Sequence, residues 1–292
     1  KWLEAAAYLQ KDYPDTEVRT IIDDTVREIV KNQLPCGYFN SYYQVYKPDR
    51  IFMERTEHEL YCAGHLIEAA VALDMCDVNH DLLPAMSKYA DYIYDRFYVK
   101  RDTGFTTCGH PEIELALVRL YEHTGEKKYL KLAKFFLDER GTRAEDIYPV
   151  MDRDYDQSHK PVREQREAVG HSVRALYLYI AMADVGRLTD DEELVSVCRA
   201  LFDDIVRSKL YITGGAGSGW YGERFTIPYD LPNSEAYAET CAAIALAFFC
   251  ERLAKTGNSA AYHAVLVRAL YNNILAGESL DGKGFYYVNP LE

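Results

Sequence analysis

Two glutamates and a cysteine in one polar, aromatic stretch have side chains that could move protons or hold a metal ion. Glu223 lies in the run WYGERF at residues 220–225, and Glu239 precedes Cys241 in the run AETC. Carboxylates act as general acids and bases, and carboxylates and thiolates both bind zinc. Residues two positions apart share a side only in extended backbone, so Glu239 and Cys241 are expected where the loop becomes a helix. Each of the two also has a simpler interpretation. Glu239 could be an acidic residue that favours a helix N-terminus, and Cys241 could be a small core residue.

Histidines or cysteines stand beside carboxylates at four successive points where a long loop leads into a helix. These points are residues 56–65, 108–112, 163–171 and 237–241. The histidines among them that we single out are His58, His110 and His171. One histidine at a helix start is usually a surface or hydrogen-bonded residue. Four equivalent positions are harder to explain in that way, because helices arranged in a ring would bring the side chains around one axis.

The elements that must position these side chains are helical hairpins. Each consists of an apolar helix, a short polar turn and an amphipathic helix whose apolar residues recur every three or four positions. The predicted first helices are residues 2–9, 66–75, 113–121, 173–183 and 242–253. The predicted second helices are residues 17–33, 81–97, 128–140, 193–209 and 261–277. This repeat predicts an all-α fold, a toroid of about five hairpins.

Long segments connect one hairpin to the next, residues 141–167 and 211–238 among them. Long loops in a compact helical protein are usually functional. All of them leave a second helix and lead into a first helix, so in a ring of hairpins they would share one rim. The predicted site therefore lies at that rim.

Charge and composition exclude several kinds of partner. The chain has 292 residues and a formal net charge of −13, whereas nucleic acids and anionic membranes attract clustered positive charge. No apolar run approaches the roughly 20 residues of a membrane span, and no signal peptide is expected at Lys1. Seven cysteines without a CxxC pair favour reduced thiols, and we expect a cytoplasmic protein. The 25 tyrosines suit a sugar-binding cleft or, equally, loops sealed against a barrel end.

Four runs of sequence resemble glycoside hydrolase family 127. They are EHELYCAGHLIEAA, GHPEIELALVRLYEHTGEKKYLKLAKFF, EQREAVGHSVRALYLYIAMADV, and YGERF followed by DLPNSEAYAETCAAIA. The similarity covers nearly the whole chain. Characterised members of this family are β-L-arabinofuranosidases with an (α/α)6 catalytic barrel. The resemblance implies a retaining mechanism in which a zinc-bound cysteine thiolate attacks the anomeric carbon.

The resemblance also implies roles for individual residues. Glu223 matches the general acid/base of the family. An acid that protonates the departing oxygen needs a pKa raised towards neutrality, and Trp220, Tyr221 and Phe225 could raise that of Glu223 by excluding water. Tyr221 is also expected to contact the substrate. The family's sugar-holding histidines match His58, His110 and His171.

Glu239 and Cys241 match two of the zinc ligands, which leaves the zinc site incomplete. The family's remaining cysteines form an adjacent pair well downstream of AETC, one of them the nucleophile, and this chain contains no Cys-Cys. A helical toroid commonly has six hairpins, so a sixth is expected to be missing here. We therefore expect residues 1–292 to form a single toroid domain, incomplete at both ends. The chain alone is expected to be inactive unless the other residues are supplied elsewhere.

Two other kinds of protein stay open on the sequence. Another six-hairpin sugar enzyme, an epimerase or an unsaturated uronyl hydrolase or lyase, would use His, Asp or Tyr without zinc. A non-catalytic carbohydrate-binding protein would keep the cleft and lack the nucleophile. Zinc bound to the intact protein favours the glycosidase. The sugar, the linkage and the oligomeric state depend on loop geometry that sequence does not provide.

Overall fold

The computed structural model describes residues 1–143, 151–257 and 259–292, and the described residues are predominantly helical. Residues 144–150, part of the predicted loop 141–167, lie outside the described residues. The all-α class is confirmed. The chain divides into two compact units, Lys1–Phe136 and Leu137–Glu292, and the single toroid expected for residues 1–292 stays a prediction. None of the described helices is long and apolar enough to cross a membrane.

The helices of the first unit begin and end close to the predicted residues, with two exceptions. They are α1 (Trp2–Asp12), α2 (Thr16–Asn32), α3 (Ser41–Tyr46), α4 (Glu59–Met75), α5 (Leu82–Ile93), α6 (Ile113–Thr124) and α7 (Lys127–Glu139), whose last residues belong to the second unit. A 3-10 turn lies at Pro48–Arg50, and a π-helix extends α5 over Tyr94–Lys100. The exceptions are α3, which no periodic run predicts, and α4, which begins seven residues before the predicted Leu66.

Helix α4 is the main hydrophobic element of the first unit and packs against α1, α5 and α6. Its apolar side chains are covered on several sides, and Ile67 and Leu73 are fully buried. Burying one such side chain stabilises the fold by about 1.5–3 kcal/mol. Gly64 lets α6 begin close beside α4, because a β-carbon at this position would lie 2.6 Å from the side chain of Glu112.

The outer helix α2 shows the amphipathic pattern that the sequence predicts. Ile22, Val26 and Ile29 are its buried residues. The side chain of Asp15 caps its N-terminus by accepting from the backbone N–H groups of Glu17 at 2.8 Å and Val18 at 2.9 Å. A cap of this kind contributes about 1 kcal/mol. Local sequence therefore fixes where this helix begins.

The second unit contains two further hairpins and a small strand pair. Its regular elements are β1 (Gly170–His171), α8 (Ser172–Leu188), α9 (Glu192–Ser208), β2 (Arg224–Phe225), α10 (Thr240–Ala254) and α11 (Ser259–Ala269), with 3-10 turns at Val162–Glu164 and Leu275–Gly277 and a π-helix at Leu270–Ile274. Helices α8 and α10 pack against each other, α9 packs on α8, and α11 packs on α10.

A buried ion pair joins α8 to α10. Asp184 is 4% exposed and accepts from Arg252 Nε at 2.7 Å, and it also accepts from Arg187 at 3.2 Å. A hydrogen bond between charged groups contributes about 1.5–3 kcal/mol. The pair thus fixes the two helices that begin at the candidate site.

The strands β1 and β2 are antiparallel and are not predicted by the sequence pattern. Gly170 pairs with Phe225, and His171 pairs with Arg224. Two residues are too few to show the alternation that identifies a strand. The pairing nevertheless positions the candidate site, because Glu223 immediately precedes β2.

Candidate active site

A tight turn presents Glu223. The N–H of Gly219 donates to the carbonyl of Arg224 at 3.0 Å, and the N–H of Arg224 donates back at 2.9 Å. Residues 220–223 form the turn between these two residues, and the N–H of Glu223 donates to the carbonyl of Trp220 at 3.3 Å. Gly222 (φ +73°) and Glu223 (φ +51°) both have left-handed backbone, which is uncommon for a glutamate. Strained backbone of this kind clusters at functional sites.

The strand pair brings His171 to this turn. Ser172 donates from both its N–H and its hydroxyl to the carbonyl of Glu223, each at 2.9 Å. Gly170, directly before His171, has φ +69°, and a β-carbon there would lie 1.8 Å from the carbonyl oxygen of Asp154. Only glycine fits this position without a shift of the backbone.

A buried ion pair holds the peptide that precedes β1. Lys209 Nζ lies 3.0 Å from the carboxylate of Asp204. Lys209 donates to the carbonyl of Ala168 at 2.8 Å, and the N–H of Ala168 donates to Asp204 at 2.8 Å. The backbone N–H and carbonyl of Ala168 are therefore both hydrogen-bonded to side chains at the end of α9. These bonds fix the segment that leads to His171.

Two donors converge on the carboxylate of Glu223. The hydroxyl of Tyr237 donates to Oε1 at 2.9 Å, and Nε2 of His171 lies 2.8 Å from Oε2. Nδ1 of His171 accepts from the N–H of Arg174 at 3.4 Å, so in the neutral ring Nε2 carries the hydrogen. His171 is buried, whereas the side chain of Glu223 is 33% exposed. The carboxylate can thus be reached from solvent while its orientation is fixed.

The hydrogen bond from His171 is the largest cause that holds the pKa of Glu223 below its usual value, and the tyrosine hydroxyl adds to it. The raised pKa expected from the sequence is therefore wrong for this structure. Trp220 and Tyr221 are 73% and 61% exposed, so they do not exclude water from the carboxylate, although Phe225 is buried. Donors that favour the ionised form outweigh the partial burial that opposes it.

Glu239 stands at the start of α10, where the loop becomes a helix, as the sequence predicts. Its side chain makes no capping hydrogen bond, it is 2% exposed, and its Oε2 has no hydrogen-bond partner. A buried carboxylate oxygen without a partner is costly and therefore calls for a ligand. Tyr287 lies at the same carboxylate, and burial, followed by the hydrogen bond with Glu239, raises the pKa of its hydroxyl.

His171, Glu223 and Glu239 form a group that could hold a metal ion. One ligand atom from each lies within 4.8 Å of the others, and across the described ranges this is the only such group of three or more His, Cys, Asp or Glu side chains. Imidazole and carboxylate are zinc ligands, so the donor set and the unpartnered oxygen of Glu239 fit a zinc ion. Cys241, half-buried in the first turn of α10, is not a member of this group. Its role as a ligand stays a prediction.

In the first unit, His58 and His110 lie in a cluster of rings. Their ring centres are 6.3 Å apart, and Tyr61 lies 4.6 Å from His110 and 4.5 Å from His65. Burial lowers the pKa of His65 to about 3, so its ring is neutral. Imidazole and phenol side chains offer donors and acceptors that suit sugar hydroxyls. That His58 and His110 meet Glu223 in one pocket stays a prediction.

The two clusters contain residues that the sequence analysis does not single out as site residues. Tyr237 and Tyr287 belong to loops without periodicity, and their contacts with the two glutamates depend on how those loops fold. Tyr61 and His65 follow His58 at helical spacing, so the 3.6-residue period identifies them once α4 is known to begin directly after His58.

A buried carboxyl group directly follows His58. Glu59 is 1% exposed, and it accepts from the hydroxyl of Tyr38 at 2.5 Å and from the N–H of Phe52 at 3.0 Å. Burial raises the pKa of Glu59 to about 7. Glu59 thus joins the loop before α4 to the first turn of that helix.

We expect Glu59→Gln to remove a pH dependence of stability. The folded pKa lies above the ordinary value, so between pH 4.5 and 7 the folded state holds a proton that the unfolded chain releases. Wild-type stability therefore falls as pH rises through this window, on the order of 3 kcal/mol. Urea unfolding at pH 5 and pH 7.5 should show this fall in the wild type and a smaller one in Glu59→Gln. Glu17, an exposed glutamate that does not act on Glu59, should keep the wild-type slope when it is changed to Gln, and equal slopes in all three proteins would contradict the expectation.

Comparison with known proteins identifies relatives along the whole chain. The profile described as β-L-arabinofuranosidase, GH127 catalytic domain, matches residues 1–292. A non-reducing end β-L-arabinofuranosidase of Bifidobacterium longum subsp. longum is 39% identical over 313 residues, covering 100% of this chain and 47% of that protein. The chain thus spans about half the length of this curated relative.

Solved structures give the same result for the fold. A GH127 β-L-arabinofuranosidase from Geobacillus stearothermophilus T6 has a TM-score of 0.95 at 46% identity, covering 100% of this chain and 48% of that one. A second GH127 β-arabinofuranosidase has a TM-score of 0.91 at 40% identity, covering 99% and 46%. A glycosyl hydrolase of family 88 from Bacteroides vulgatus, at 13% identity and a TM-score of 0.55 over 100% and 82%, shares the fold alone. The predicted helical-hairpin architecture is thereby confirmed, since the GH127 neighbours are helical-barrel enzymes.

Proposed function

This chain belongs to glycoside hydrolase family 127, and we propose that the protein containing it removes L-arabinofuranosyl residues from glycans with retention of configuration. One observation carries the proposal. The carboxylate of Glu223 is accessible, is oriented by His171 at 2.8 Å and Tyr237 at 2.9 Å, and lies beside the buried carboxylate of Glu239. The relative from Bifidobacterium acts at non-reducing ends by name, which supports removal of terminal sugars.

Glu223 is proposed as the general acid and base. It protonates the departing glycosidic oxygen and later takes a proton from water. The donors His171 and Tyr237 favour the ionised carboxylate, which is the form needed for the second step. For the first step the carboxyl must carry a proton. If a sugar hydroxyl accepted the hydrogen bond of His171 in place of Glu223, the carboxylate would lose the donor that lowers its pKa most. The protonated form of Glu223 would then be favoured.

Glu239 and Cys241 are proposed as two ligands of a zinc ion, with two cysteines outside this chain as the others. The unpartnered buried oxygen of Glu239 supports this assignment. When bound, zinc would keep a cysteine in the thiolate form that acts as a nucleophile. The substrate-binding residues are proposed to be His58, His110, His171 and Tyr221. A cytoplasmic location stays an expectation.

The test is hydrolysis of 4-nitrophenyl β-L-arabinofuranoside by the full-length protein that the gene encodes. We expect turnover, NMR detection of the β-anomer as the first product, and about one zinc ion per chain by elemental analysis. A chelator should remove zinc and activity together. Detection of the α-anomer as the first product, which would mean inversion of configuration, would reject the proposal. Full turnover in a zinc-free preparation would also reject it.

Replacement of Cys241 tests the metal assignment separately. We expect Cys241→Ser to lower the zinc bound per chain, because a serine hydroxyl is a poor substitute for a thiolate, and activity should fall in proportion. The exposed Cys62, changed to serine, is the matched control and should keep both. Wild-type zinc content in Cys241→Ser would remove this residue from the ligand set.

A further inference from the structure

The turn that carries Glu223 also presents two exposed aromatic rings. Trp220 and Tyr221 are 73% and 61% exposed, and their ring centres are 6.0 Å apart with an interplanar angle of 77°. An exposed indole or phenol ring offers an apolar face and a polar group, a combination that suits contact with a sugar. Neither ring contributes to the core of the second unit.

The backbone under these rings is fixed. Gly219 and Arg224 close the turn with two backbone hydrogen bonds, and the guanidinium of Arg224 makes a bidentate ion pair with Asp152 at 2.8 and 3.0 Å. Strand β2 then continues from the turn and pairs with β1. The rings are thus held on a pre-organised support, which lowers the entropy cost of binding a ligand.

The chemistry of Glu223 shows which part of a substrate would meet the rings. A general acid gives its proton to the oxygen of the leaving group, so the leaving group lies on the side of the acid. Trp220 and Tyr221 belong to the same four-residue turn as this acid, and both rings are exposed to solvent. A ring attached to the departing oxygen would therefore pass over them.

We propose that Trp220, with Tyr221 against its edge, is a stacking platform for the sugar ring on the leaving-group side of the scissile bond. The proposal rests on the proposed function in taking Glu223 as the acid. An indole face matches the apolar C–H face of a sugar ring, and the hydroxyl of Tyr221 can bond to a sugar oxygen. The platform makes the enzyme prefer an L-arabinofuranosyl group attached to another sugar over one attached to a small alcohol.

Kinetics with two substrates test the platform. We expect Trp220→Ala to lower kcat/KM about tenfold on a disaccharide with β-L-arabinofuranose at its non-reducing end. On methyl β-L-arabinofuranoside, whose leaving group has no ring, kcat/KM should stay within about twofold of wild type. Trp220→Phe should recover most of the loss. An equal loss on both substrates, no loss on the disaccharide, or a change of oligomeric state as the only effect would overturn the proposal.

Fluorescence tests the platform without turnover. The chain has two tryptophans, Trp2 and Trp220, so Trp2→Phe leaves Trp220 as the single indole of residues 1–292. The emission of the full-length Trp2→Phe protein is compared with that of a full-length double variant in which Trp220 is also replaced by Phe. The difference between the two spectra is the emission of Trp220. In a Glu223→Gln background, titration with the disaccharide should shift the emission of Trp220, whereas L-arabinose should shift it much less. If the wild type hydrolyses no arabinofuranoside, the proposed function fails and the platform, which takes Glu223 as the acid, fails with it. In a protein that does hydrolyse the disaccharide, the titration separately tests the platform. Emission that the disaccharide leaves unchanged would overturn it.

Discussion

Glu223→Gln is expected to lower kcat/KM on methyl β-L-arabinofuranoside by about 10²–10⁴-fold, with little change in affinity for L-arabinose. The amide keeps the size of the carboxyl group and can still accept a hydrogen bond from His171 or Tyr237, but it neither gives nor takes a proton. Methoxide is a poor leaving group, so the loss of the acid should appear in full with this substrate.

The same variant should depend on the leaving group in a way that identifies the lost step. With 4-nitrophenolate, which departs without a proton, bond cleavage should be less affected, and the loss of the base should then limit turnover. Added azide needs no general base, so it should accelerate turnover in Glu223→Gln and leave the wild type unchanged.

Glu235→Gln is the matched control, since Glu235 is an exposed glutamate in the same loop. It should keep wild-type activity on both substrates. Wild-type kcat/KM of Glu223→Gln on the methyl glycoside, or the absence of any azide effect, would remove Glu223 from its proposed role.

Gly170→Ala is expected to destabilise the protein by about 2–5 kcal/mol. A β-carbon in left-handed backbone costs about 1–2 kcal/mol, and the contact of 1.8 Å with the carbonyl of Asp154 forces a further shift of about 1–3 kcal/mol. Because His171 is the next residue, a shift of β1 moves its imidazole away from Glu223. We therefore expect loss of activity together with a lower urea midpoint.

Gly282→Ala separates the two causes. Gly282 has φ +66°, close to the +69° of Gly170, but nothing lies within 4 Å of its β-carbon position. It should show only the conformational cost of about 1–2 kcal/mol and keep full activity. If both variants lose the same stability, the close approach to Asp154 does not constrain β1.

The outer helices could be predicted well because their apolar period is strong and their caps are local. α2 begins within one residue of its predicted start, after the cap residue Asp15. The start of α4 is missed because residues 59–65 combine polar, aromatic and small side chains, and two of them, Tyr61 and His65, belong to the ring cluster of the first unit. These polar, aromatic and small residues interrupt the apolar period that would otherwise reveal the helix.

The candidate site could be predicted in its residue types and only partly in its geometry. The spacing of Glu239 and Cys241 placed them correctly at the start of α10. The direction of the pKa shift of Glu223 could not be predicted, since it follows from a strand pairing that joins residues 55 positions apart and from a tyrosine in a separate part of the loop. Long-range pairing of two-residue strands leaves no local signal.

The backbone hydrogen bonds around the turn, here called the ladder, also provide a probe of the structure around Glu223 that needs no substrate. The amide hydrogens of Gly219, Arg224 and Ser172 all bond within this ladder, at 2.9–3.0 Å, and each bond must open before its deuteron exchanges. Mass spectrometry of deuterium uptake in peptides covering these amides would therefore report whether the turn that holds Glu223 is folded. Protection there would distinguish a variant that has lost its chemistry from one that has lost the scaffold beneath it.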